Sequence, residues 1–159
     1  MPALTRRYGS NQRWLTKALR EVAHEVEQLV SGLPDAVLRL RPAGDGLHEQ
    51  WAMIEVVGFL RDSEREDLRA VRGLIARDGA RLGERRAHLG PGERDYRSAD
   101  LAELLWSLEL AGPEWEHVGV HPYRGEVSLS QLVHEVTERD LEAMWSLRRL
   151  REAAAAGVR

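Results

Sequence analysis

Apolar residues in the N-terminal third of the chain recur at helical spacing. Leu15, Ala18, Leu19, Val22, Val26, Leu29 and Leu33 fall within one narrow arc when wound at ~100° per residue, which predicts a single amphipathic helix from about Ser10 to Gly32. Pro34 then opens a connecting turn, PDAVLRLRPAGDGLHEQ, whose prolines and glycines oppose a long helix. Periodicity resumes near Trp51, and Met53, Val57, Leu60, Leu68, Val71 and Ile75 define the inward arc of a second helix reaching about Asp78. The segment from Gly79 to Arg97, rich in Gly and Arg, reads as a long connection. A short third helix covers about Ser98 to Leu110, with Ser98 as N-cap and a stripe of Leu101, Leu104 and Leu108. After Gly112 and Pro113 an irregular stretch, EWEHVGVHPYRGEV, leads into a fourth helix from about Ser128 to Ala156. Its inward arc carries Leu129, Leu132, Val136, Leu147 and Leu150, and Gly157 supplies the stop signal.

Four amphipathic helices without an alternating strand pattern predict an all-α four-helix bundle, with long helices one, two and four and a short helix three. The 159 residues, 43% of them hydrophobic, suffice for one domain over 1–159 with a real core. The 23 basic and 26 acidic side chains nearly cancel, which excludes the basic stripe of a dedicated nucleic-acid binder. The tryptophans are dispersed and form no stacking platform for bases. Cysteine is absent, so disulfides, thiolate metal sites and a cysteine nucleophile are all excluded. No stretch approaches the ~18 continuous apolar residues of a membrane span, and the N-terminus lacks a signal-peptide core, so the expectation is a cytoplasmic protein with no membrane partner.

The inward arcs carry charge. Glu64 and Asp67 lie within that of the second helix, and Arg139, Asp140 and Ala143 within that of the fourth. Isolated buried charge costs on the order of several kcal/mol, so these groups either pair or line a wet cavity. One reading sets the Arg139 guanidinium against the carboxylates of Glu64, Asp67 or Asp140, and makes it an anchor for a small anionic ligand. The other has a wide arc whose charged ends snorkel to solvent. His134 and Glu138, four apart on the fourth helix, form a possible metal-holding pair, but periodicity turns them away from the core toward solvent. His121, in a His-Pro turn, suits a structural hydrogen bond better than ligation. His24, His48, His88 and His117 read as ordinary surface or loop residues. Leu141 and Trp145 fall on the outward side of the fourth helix and mark a contact surface, as in a homodimer. Trp106 likewise points away from its stripe, and Trp14, Trp51 and Trp115 read as packing residues.

Two blocks, WAMIEVVGFLRDSE from Trp51 to Glu64 and GVHPYRGEVSLSQLVHEVTERDLEAMWSL from Gly119 to Leu147, resemble the DinB/YfiT-like superfamily. The second is the more specific, because Gly119, His121, Pro122, Gly125, Val127 and Leu129 all fall in register. The resemblance implies a helical bundle, dimerisation, a stress-related role and a divalent metal, zinc or nickel, held by three histidines for transferase or hydrolase chemistry. The corresponding positions here are Phe59, Arg139 and Ala143. Phenylalanine and alanine have no donor atom, and a guanidinium repels a cation. The expectation is therefore a degenerate site without a cofactor, a pocket at Phe59, Arg139 and Ala143 lined by Glu64, Asp67 and Asp140, and a binding role for a small molecule or partner. The alternative is a metal-dependent hydrolase or thiol transferase with non-standard ligands such as His121, Glu64 and Asp140.

Overall fold

The structure is a computed structural model that describes residues 12–41, 51–83, 99–108 and 113–157. It is mostly helical, with a small two-stranded sheet that the periodicity did not foretell. Helix α1 spans Gln12–Val30, α2 is one turn at Asp35–Leu38, α3 spans Met53–Ala76, α4 Ala99–Leu108 and α5 Leu129–Gly157. A 3-10 turn at Pro113–Glu116 precedes strands β1, Val118–His121, and β2, Gly125–Ser128. Ser98, His48 and His88 lie outside the described residues. No described helix is long and apolar enough to cross a membrane.

The helix starts and stops follow local chemistry. At the start of α5 the Ser128 hydroxyl accepts the Gln131 N–H at 3.1 Å, satisfying one of the donors a helix leaves open at its beginning. The start of α3 has Ala52 where a capping side chain would sit, and Glu55 compensates by reaching back to accept the Ala52 N–H at 2.9 Å. The C-terminal carbonyls of α1 are taken up from outside: Arg151 of α5 donates to the carbonyls of Gln28 and Leu29. The one-turn α2 interrupts what the proline and glycines suggested was plain turn. Leu38, 1% exposed, anchors it in the core, and Arg39 pairs with Asp35 at 2.7 Å.

Two apolar clusters fill the interior. The first joins Leu15 and Leu19 of α1, Val71 and Leu74 at the end of α3, Leu101 and Leu105 of α4, Trp115, Val127, and Leu129 and Val133 at the start of α5. The second joins Val22 and Val26 of α1, Met53, Val57 and Leu60 at the start of α3, and Ala143 and Leu147 late in α5. Helices α1 and α5 thus run from the first cluster to the second while α3 runs back. Each fully buried Leu, Val or Met contributes roughly 1.5–3 kcal/mol.

The hairpin holds the first cluster closed. β1 and β2 pair antiparallel with His121 opposite Gly125, so three residues turn the chain and Gly125 takes the left-handed conformation, φ 75°, that such loops favour. The chain after α3 runs parallel to β1: Gly79 N–H donates to the Val118 carbonyl, Val120 N–H to that of Ala80 and Leu82 N–H to that of Val120, all at 2.8–2.9 Å. This close approach requires Gly119, where a Cβ would lie 2.6 Å from Leu74 Cδ2 and 3.0 Å from the Ala80 carbonyl oxygen.

Candidate functional site

A stripe that is apolar at both ends becomes charged in the middle. On α3, positions 60, 64, 67 and 71 share one face, and between buried Leu60 and Val71 stand Glu64 and Asp67, each 5% exposed. On α5, positions 136, 140, 143 and 147 do the same, with Asp140 only 1% exposed between Val136 and Ala143. Ser63 and Thr137 are buried beside them, and Thr137 donates its hydroxyl proton to the Val133 carbonyl at 2.8 Å. A polar belt thus separates the two apolar clusters.

Arg139 supplies the belt with a cation. Its Nη2 lies 2.6 Å from Asp67 Oδ2 and 3.0 Å from Asp140 Oδ1, ion-paired across α3 and α5. Burial pulls the guanidinium below its ordinary value, but the charges of Asp140 and Asp67 and their hydrogen bonds more than reverse this and hold it above. Two buried carboxylates therefore share one guanidinium. Glu64, the third, is also engaged.

Beside the belt, between the second half of α3, residues 81–83, the hairpin and the first half of α5, lies a cavity of about 290 Å³. Ala70, Leu132 and Val136 give it an apolar floor, and its walls carry Arg69, Arg81, Arg124 and Arg139 together with Glu66, Asp67 and Glu135. Arg124 grips Glu135 with both nitrogens, Nη1 to Oε2 at 2.7 Å and Nη2 to Oε1 at 2.5 Å. That hydrogen bonding, more than the bare charge of Glu135, raises the Arg124 guanidinium above its ordinary value against the opposing effect of burial. Arg69 and Arg81 are exposed and have no ion pair among the described residues. His121 also lines the cavity. Its Nδ1 accepts the N–H groups of Tyr123 at 3.2 Å and Arg124 at 3.3 Å, which assigns the ring proton to Nε2.

Several expectations need correction. Of the three positions expected to form one pocket, only Arg139 lines the cavity. Ala143 belongs to the second apolar cluster, and Phe59 packs edge-on against Trp51 with ring centroids 5.6 Å apart. Asp67 is a cavity wall, whereas Glu64 and Asp140 are buried in the belt and are not. His134 does not face solvent: it is 8% exposed and 3.3 Å from Glu138. The start of α5 is wrapped by α1, α3, the 3-10 turn and β2, so its buried arc is wider there than a two-neighbour helix would have. Leu141 is half-buried and packs against the second cluster, while Trp145 is 56% exposed with the Arg148 guanidinium stacked 4.8 Å from its ring. Trp106 is likewise exposed, under Arg20. His117 is structural, its Nδ1–H donating to the Leu74 carbonyl at 2.6 Å near the end of α3.

Arg69, Arg81, Arg124 and Glu135 had not been singled out from the sequence. One available signal was the hairpin: valines at 118, 120 and 127 around a short loop closed by Gly125. Among the described residues no three His, Asp or Glu side chains are grouped to hold a metal ion, so His121, Glu64 and Asp140 do not assemble and His134 and Glu138 remain a pair. Phe59, Arg139 and Ala143 do not fit a metal either, since two lack donors and the third is a cation already pressed between carboxylates. No family model matches the chain, and no curated protein matches it.

Proposed function

We propose that this chain is a DinB/YfiT-like helical bundle in which Arg139, at one of the three positions where relatives would hold a metal, belongs to a charged belt, and that it works as a binding protein for a small anionic molecule, independently of divalent metal. The observation that carries this reading is the cavity wall. Four arginines converge on about 290 Å³, while the acids among the walls are already occupied: Asp67 by Arg139, Glu135 by Arg124, and Glu66 in an interaction of its own. A concave site with an apolar floor and a few convergent polar groups is the usual form of a small-molecule site, and its charge sets the sign of the ligand. The bundle resemblance is supported by the order of the helices and by the position of the belt, midway along α3 and α5.

Elemental analysis after metal loading and dialysis, paired with thermal unfolding across a panel of small anions, tests this. The expected result is no stoichiometric metal and an anion-dependent rise in Tm. A ligand at one hundred times its Kd adds about 2.7 kcal/mol, or roughly 5–10 °C for a chain of this size. One equivalent of tightly held metal per chain would overturn the proposal in favour of a metal-dependent transferase or hydrolase.

A further inference from the structure

Resting on that reading, we infer that Arg69 and Arg81, with the Nε2–H of His121, hold a doubly charged oxyanion group, a phosphate monoester or a dicarboxylate, and that Arg139 is not the anchor. Arg139 touches Asp67 and Asp140, and a ligand anion would have to displace a buried carboxylate to reach its charge. Arg124 presents its fork to Glu135, the geometry a ligand carboxylate or phosphate would need. Both cations are matched before any ligand arrives. Glu66 is also engaged. Arg69 and Arg81 are the two lining cations without an ion pair among the described residues, and a group carrying two negative charges can engage both.

The placement of these groups is fixed by backbone as well as by charge. Arg69 stands on α3. Arg81 sits in the segment that runs parallel to β1, bridged to Val120 and flanked by the hydrogen bonds from Val120 N–H to the Ala80 carbonyl and from Leu82 N–H to the Val120 carbonyl. The residue after Val120 is His121, so the backbone that roots Arg81 also roots the ring. Because Nδ1 is occupied by two backbone donors, the ring has only Nε2–H to offer, and that group donates. At about 290 Å³ the cavity lies just below the ~300–1,000 Å³ range of drug-sized ligand sites. It suits a compact molecule whose hydrocarbon part rests on Ala70, Leu132 and Val136.

The test is calorimetric titration of the full chain with inorganic phosphate and, separately, malonate, at a pH where phosphate is doubly charged. Acetate and chloride at matched ionic strength are the monoanion controls, and the ring nitrogens of His121 are followed by ¹⁵N NMR. Both dianions are expected to bind at least tenfold more tightly than acetate and to shift His121 Nε2. Arg69→Gln and Arg81→Gln are each expected to weaken binding about tenfold without lowering Tm, since both side chains are exposed. Tighter phosphate than malonate assigns a phosphate monoester, and the reverse a dicarboxylate. If dianions bind but neither substitution weakens them, while Arg124→Gln or Arg139→Gln does, the anchor is misassigned and only the cavity reading survives. If no anion binds the wild-type chain, that reading falls as well.

Discussion

Removing the guanidinium of Arg139 tests the logic of the belt. In Arg139→Met the side chain keeps much of its length but loses the charge that pairs with Asp67 and Asp140, whose side chains are 7% and 2% exposed. Breaking a buried ion pair by deleting one partner costs about 3–5 kcal/mol, because the remaining charge is stranded in a poor solvent. Arg139 is itself 16% exposed, so water reaches part of the site and the low end, about 3 kcal/mol, is expected. At roughly 2–4 °C per kcal/mol, Tm should fall by about 6–12 °C. The same substitution combined with Asp67→Asn and Asp140→Asn removes the stranded charge and should recover more than half of the loss. That recovery distinguishes electrostatics from lost packing, which the extra changes would not repair. The pH dependence has a definite sign. The wild-type guanidinium is held above its unfolded value, so its contribution is fully present and constant over the whole working pH range. Urea unfolding of the single and triple variants at neutral and mildly acid pH reads all of this. A single variant within about 0.5 kcal/mol of wild type, the range of ordinary surface changes, would refute the belt as described.

Three further outcomes follow from the same geometry. Gly119→Ala forces a methyl to within 2.6 Å of Leu74 Cδ2 and should cost about 1–3 kcal/mol in chemical denaturation, whereas Gly83→Ala, with nothing within 4 Å of its Cβ among the described residues, should be nearly neutral. His117→Phe leaves the Leu74 carbonyl without its side-chain donor and should lower stability by about 1 kcal/mol, with hydrogen exchange rising first at the end of α3. Arg151→Ala uncovers the Gln28 and Leu29 carbonyls and should fray the last turn of α1, seen as faster amide exchange there with a change in global stability below about 1 kcal/mol.

The parts of this molecule legible in the sequence are those where one face of a helix meets a core. Leu15, Leu19, Val22 and Val26 are all buried, as their spacing on one arc requires. Glu64, Asp67 and Asp140 were visible because they interrupt an apolar arc in register, which only a paired or wet interior tolerates. His134 was misplaced because a helical wheel assumes neighbours on one side, and the start of α5 has them on several. The hairpin escaped because four-residue strands offer too few alternations to register against the helical signal, and its partner segment at residues 79–82 pairs through backbone atoms, which carry no side-chain pattern. Arg69 and Arg81 were invisible for a different reason. An exposed arginine on a charged chain reads as a solvated face, and only the fold shows that two of them border the same cavity.

The belt and the cavity explain each other. Replacing a buried ionic cluster with well-packed apolar side chains is often neutral or stabilising, so stability alone is a weak reason for Glu64, Asp67, Arg139 and Asp140 to divide the core. Their effect on the adjacent cavity is specific. Asp67 forms part of its wall, with Asp140 buried behind Arg139. Left bare, these two carboxylates would cancel the charge of Arg69 and Arg81 and repel an incoming anion. Arg139, held between them at 2.6 and 3.0 Å, offsets one of their two negative charges and makes that wall less acidic. The two exposed arginines then set the field at the mouth. In this arrangement the buried cation does its work by compensation and the exposed ones by contact, so losing Arg139 should weaken both folding and anion binding, whereas losing Arg81 should weaken binding alone.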